Sequence, residues 1–257
     1  LEAVAGVRKQ GDDLARQYQL ARGKGDADRL AAVAEQIANS RQHADLVRFS
    51  LECQGELDRS DAFVSLSTVD AEAPDDFVGL LADTYLNWAR LKGFEAKIVH
   101  EDLFTPKLTR EIVLLIEGVA VFGLLQSEAG MHEIVYGRTA KHAKKSKFIK
   151  VRVLPMIDND EARVPASEIS LDKQKAKGQG LRCKRYKSVL TATHRPTATT
   201  ITVTNELTPE DAAPLIEDLL QAELFHRKTL STPTDRPAHD ESAQVEDIIR
   251  KYVLHHQ

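Results

Sequence analysis

Residues 74–93 read PDDFVGLLADTYLNWARLKG, and this stretch decides the fold class. Phe77, Leu80, Leu81, Thr84, Tyr85 and Trp88 recur at i, i+3, i+4, i+7, i+8 and i+11, one face of an α-helix. Pro74 suits the first turn, Asp75 and Asp76 suit the positive end of the helix dipole, and Gly93 suits the stop. The run before it, Ala62 to Val69, alternates as a strand, with Phe63, Ser65 and Ser67 on one side and Val64, Leu66 and Thr68 on the other. A strand feeding an amphipathic helix places this part of the chain in a mixed class. Tyr85 and Trp88 offer a base-stacking pair, but at helical spacing core packing is the stronger reading.

Working outward toward the N-terminus, residues 1 to 58 read as a helical arm. Leu14 and Tyr18, then Leu30, Val33 and Ile37, then Leu46 and Phe49 keep helical spacing, and Gly23 to Asp26 interrupts them as a turn. Toward the C-terminus, Glu95–His100 and Arg110–Glu117 read as strands. Val119–Leu125 reads as a short buried helix, and Phe148–Leu154 as another strand ended by Pro155. Met156–Pro165 reads as a linker. Glu168–Leu171 is a short strand, and Ser188–Thr193 with Thr197–Thr204 is a hairpin turning at His194-Arg195-Pro196. Thr208-Pro209-Glu210-Asp211 starts a helix with Leu215, Ile216, Leu219, Leu220 and Leu224 on its apolar face. The expected architecture is α+β and multidomain. A helical arm spans 1–58. An α/β sandwich spans 59–157 and is completed by 240–257. A third, βαβ-type domain spans 158–239 and carries a basic loop.

That loop, residues 173–187, reads KQKAKGQGLRCKRYK: seven of its fifteen residues are Lys or Arg and none is acidic. A second basic segment runs from Tyr136 to Arg152. The whole chain of 257 residues is nevertheless acidic, at a net charge of −4. Basic side chains gathered in two places of an acidic protein point to a localised polyanion site, and RNA is the polyanion expected. The residues expected to hold it are Arg138, Lys141, His142, Lys144, Lys145 and Lys147, with Lys173, Lys175, Lys177, Arg182, Lys184, Arg185 and Lys187. Tyr136 and Tyr186 lie among these charges as possible base-stacking rings or as partly packed surface residues. Cys53 and Cys183 form neither a disulfide framework nor a metal spacing, which suits a reducing compartment. His132, His255 and His256 lack partners at ligand spacing, and no nucleotide-binding loop or triad signature occurs. No cofactor is expected. No apolar run approaches the ~20 residues that span a bilayer. The chain begins with Leu1, so targeting is not legible from it.

Four blocks in order resemble the bacterial-type class I peptide chain release factors, and among them the type-2 branch. They are Tyr85-Leu86-Asn87-Trp88-Ala89 with Lys92-Gly93-Phe94; Leu124 to Val135, LLQSEAGMHEIV; Ser188-Val189 with Thr193-His194-Arg195-Pro196-Thr197; and Ile249 to Leu254, IRKYVL. The resemblance implies a helical first domain, a codon-facing α/β domain completed by the C-terminal segment, and a third domain carrying the catalytic loop. Three departures accompany it. Where the family has Gly-Gly-Gln, this chain has Lys177-Gly178-Gln179-Gly180-Leu181. Where the family has the Ser-Pro-Phe codon tripeptide, Tyr136-Gly137-Arg138-Thr139-Ala140 stands. The helix from Pro209 to Arg227, lysine-rich in the family, carries Glu210, Asp211, Glu217, Asp218 and Glu223, which would repel ribosomal RNA within the ~8–10 Å Debye length.

With both motifs lost, the chain resembles the plant plastid paralogue associated with protecting a processed messenger. The implied function is non-catalytic: binding an RNA end in the plastid stroma, with the mitochondrion as the alternative compartment, and blocking exonucleases. Two other readings stay open. One is a ribosome-associated factor or subunit of an organellar ribosome. The other is a true hydrolase using Gly178-Gln179 in a displaced register.

Overall fold

The computed structural model describes residues 2–68, 75–136, 145–158, 163–174, 188–205, 207–231 and 248–253. The arm is a pair of helices, α1 (Glu2–Lys24) and α2 (Ala27–Glu52). The break between them follows from two residues. Gly25 takes a left-handed φ of 63°, and Asp26 caps α2 by accepting the Arg29 amide at 3.0 Å. The contact between the helices is thin: Leu14, Ala21, Val33, Leu46 and Val47 are buried, while Leu20 and Leu51 are exposed.

The body is built on a six-stranded sheet in the order β2-β3-β1-β5-β4-β9. Its strands are β1 (Ala62–Ser67), β2 (Glu95–Thr105), β3 (Leu108–Glu117), β4 (Gly130–Tyr136), β5 (Lys145–Pro155) and β9 (Ile248–Val253). All pairs are antiparallel except β4 with β9, which run parallel. β2, β3 and β5 are longer than the alternation suggested. β1 is central, and both of its faces are buried. Val64 and Leu66 meet α3 (Phe77–Lys92) on one side, together with Leu114, Ile149 and Val151. Phe63 joins a second core on the other side. α3 starts where Asp76 accepts from Gly79 N, and the same carboxylate accepts from Thr109 N and Oγ1, at 3.1, 3.2 and 2.7 Å. It stops at Gly93, left-handed at φ 74°. Tyr85 is buried against the sheet, and Trp88 packs edge-on to Phe94, so this aromatic pair is core. The short helix α4 (Val121–Leu125) follows β3, as its apolar run suggested.

The third unit runs β6 (Ile169–Gln174), β7 (Ser188–His194), β8 (Thr199–Asn205) and α5 (Pro209–Ser231). The strands form an antiparallel meander, β6-β7-β8. The expected βαβ order is therefore replaced, among the described residues, by three strands and then a helix. Thr208 opens α5, its Oγ1 accepting the Asp211 amide at 3.3 Å. Leu190, Ala192, Val203, Ile216 and Leu220 pack with Phe63, Val113, Leu115 and Leu154 of the large sheet in one core. The result is layered: α3, the six-stranded sheet, then the small sheet with α5. No described helix is long and apolar enough to cross a membrane.

Candidate nucleic-acid interface

Of the thirteen residues expected to hold RNA, three lie within the described residues: Lys145, Lys147 and Lys173. Arg138, Lys141, His142, Lys144, Lys175, Lys177, Arg182, Lys184, Arg185 and Lys187 lie outside them, as do Tyr186, Cys183, His255 and His256. Lys145 is exposed at the start of β5, and Lys173 is exposed near the end of β6 in the other sheet. Lys147 is a correction. Side chains of a strand alternate between faces, and Lys147 shares its face with Ile149, Val151 and Val153, against α3. It is 7% exposed and lines a small cavity with Thr68, Phe77 and Leu108. An ammonium buried there does not reach a phosphate in solvent. Tyr136 also turns toward α3, its ring 5.0 Å from that of Phe77.

The opposite face of β5 carries Ser146, Phe148, Lys150 and Arg152. Phe148 is 45% exposed, an aromatic ring on an open sheet surface. Lys150 follows it on the same face and is exposed. Across the sheet, Phe148 pairs with Glu133 and Glu133 with Lys251. Glu133 accepts from Lys251 Nζ at 2.7 Å and from Ser146 Oγ at 2.6 Å. Those two bonds hold its carboxyl below the usual range, so the acid beside Phe148 is already matched. A ring on an exposed face beside Lys150 can stack on a base. Residue types alone did not single out Phe148 or Lys251. Parity along β5 was the available signal: Phe148 falls on the face of Lys150 and Arg152, whereas Lys147 falls on the face of the apolar residues.

Farther along this face the surface closes. Arg152 pairs with Glu223 of α5, and Arg227 Nε bonds the same carboxylate at 2.9 Å. Burial alone would raise the Glu223 carboxyl, but Arg152 and Arg227 outweigh it and hold it low. Arg163 pairs with Asp218 at 2.7 Å. Two of the five acids on α5 are thus turned inward onto arginines of the same chain, and a third, Asp211, accepts from the Thr208 hydroxyl at 2.6 Å. The expectation that this helix presents an acidic face to ribosomal RNA is corrected to that extent.

His132 and His100 are built into the fold. His132 is fully buried, its Nε2 at 2.9 Å from the Glu128 carbonyl and its Nδ1 at 3.3 Å from the Tyr252 hydroxyl. His100 Nδ1 accepts the Thr204 amide at 3.0 Å, tying β2 to β8. Burial lowers the pKa of both. Among the described residues no group of His, Cys, Asp and Glu is arranged to hold a metal ion.

The model of the PCRF domain matches residues 1–147, more than half of the chain. The chain belongs to the PCRF-domain family of peptide chain release factors. This family member is similar to peptide chain release factor 2 of Phenylobacterium zucineum, 25% identical over 99% of the chain and 71% of the relative. It is likewise similar to that of Nocardia farcinica, at 27% over 99% and 71%, and of Acidothermus cellulolyticus, at 28% over 99% and 71%. Release factor 2 of Thermus thermophilus shares its fold: the TM-score is 0.65 at 22% identity, over 98% of this chain and 74% of that one. The release-factor fold expected from the four sequence blocks is the fold observed.

Proposed function

We propose that this release-factor family member binds RNA without hydrolysing peptidyl-tRNA, and that it holds a processed organellar messenger end, in the plastid by the resemblance of its sequence, against exonucleases. The observation that carries the reading is the sequence between β6 and β7. Lys177-Gly178-Gln179-Gly180-Leu181 stands where the family places Gly-Gly-Gln. A lysine in place of the first glycine, and a leucine beyond, remove the backbone freedom that a double glycine supplies. The exposed ring of Phe148, with Lys150 on the same face of β5, supports RNA contact.

The test is release of labelled formyl-peptide from charged ribosomes by the full chain. The expected result is no release above background. Release that Gln179→Ala abolishes would overturn the non-catalytic reading in favour of a hydrolase in a displaced register. A second reading, a ribosome-associated factor, is favoured by the arm, where Leu20 and Leu51 are each 60% exposed with no covering element among the described residues. Ultraviolet crosslinking of the native protein separates the two. Reads gathered at one messenger 3′ end support the first reading, and reads spread over ribosomal RNA support the second.

A further inference from the structure

A cavity of about 910 Å³ among the described residues differs in character from the basic segments. It opens where the 3-10 turn Leu57–Arg59, α4, the end of β5 and the last turns of α5 converge. Its walls are apolar: Phe122, Val153, Met156, Ile157 and Phe225. Three of its four Asp, Glu and Arg lining residues are acids, Glu56, Asp58 and Asp158, against the single cation Arg59, so the lining is net acidic. The Arg59 guanidinium donates to the Ser50 and Cys53 carbonyls, at 3.0 and 3.2 Å, and keeps its charge. Burial, and then Arg152, lower the pKa of His226.

Apolar walls inside an acidic rim exclude RNA, whose phosphates the rim repels. They fit a short amphipathic helix with apolar residues on one face and Lys or Arg on its flanks. We propose that this cavity is a docking site for a cationic amphipathic segment of a partner protein. The chain's own residues 232–247, which follow α5, do not suit it: they carry Asp235, Asp240, Glu241, Glu246 and Asp247 against Arg236. The proposal does not depend on RNA binding. It gives the molecule two poles, one basic and aromatic, the other acidic and apolar.

The experiment uses the full chain and a fluorescein-labelled model helix of leucine and lysine in helical period, with a counterpart carrying glutamate for lysine. Fluorescence anisotropy should show saturable binding of the lysine helix, weakening with salt, and none of the glutamate helix. Glu56 is exposed, so Glu56→Lys can be made without disturbing the core, alone and together with Asp158→Lys. The double variant should bind the lysine helix about tenfold more weakly, with an unchanged thermal midpoint. Equal binding of both helices, no binding of the lysine helix, or unchanged affinity in the folded double variant would each overturn the proposal.

Discussion

At the scale of single residues, charge partners decide the chemistry. Glu223 is a nearly buried carboxylate held by two arginines, and removing it leaves Arg152 uncompensated against the sheet. Glu223→Ala should lower stability by about 1–3 kcal/mol, read as a fall in the urea midpoint. The buried histidines set a pH dependence. Burial lowers the folded-state pKa of His100, His132 and His226. The unfolded chain therefore binds more protons below the ordinary value of ~6.5. Stability should be full above that value and fall as pH drops from it through the lower folded values. Around His100 the facing acids are Glu111, Asp102 and Glu101, which soften the shift without reversing it. Urea midpoints between pH 7.5 and 5 check the slope, and its absence would mean that these rings are not held neutral. On the open face, Phe148→Ala should cost about 1–3 kcal/mol per stacked base in RNA affinity. Lys145→Ala, at an exposed lysine of the same strand, should instead reduce the salt dependence by about one phosphate contact. Filter-binding titrations at several salt concentrations distinguish the two effects.

At the scale of elements, most of the secondary structure was legible, because alternation and helical spacing are local properties. The helix 77–92, the turn at Gly25-Asp26, the hairpin after Ser188 and the start of α5 all rest on patterns a few residues long. What was not legible depends on rotation toward distant partners. The acids of α5 read as an outward charged face because sequence shows a charge but not the arginine opposite: Arg152 meets Glu223 from 71 positions away. The burial of Lys147 was recoverable from parity with Ile149, yet the surrounding charges dominated the reading. The docking of β9 also turns on one residue. Gly130 has φ 142°, and a Cβ added there would run into Ile249 Cγ1. Gly130→Ala should therefore destabilise the sheet edge by about 1–3 kcal/mol. Hydrogen exchange should show the β9 amides losing protection before those of β1.

At the scale of the whole molecule, the large sheet and the third unit share a core, from Phe63 and Leu115 to Leu190 and Leu220. The bonds Gln221 Nε2 to Val164 O at 2.9 Å and Val164 N to Gln221 Oε1 at 2.8 Å fasten the segment between the units along α5. Two bodies joined through one apolar core should unfold together. Trp88 fluorescence, which reports the α3 side, and exchange of the β7 amides should give the same midpoint in urea. Separate midpoints would mean that the third unit is only loosely attached. The α1–α2 arm, with its thin core, should exchange faster than either.

The parallel pairing of β4 with β9 bears on how the protein is made. Tyr252 rests on His132 although 120 residues separate them. Synthesis at ~5–20 residues per second leaves β4 without its neighbour for roughly 6–24 s. Throughout that interval the nascent polypeptide presents an unsatisfied strand edge beside Phe148, an invitation to chaperones and to aggregation that ends only when β9 emerges.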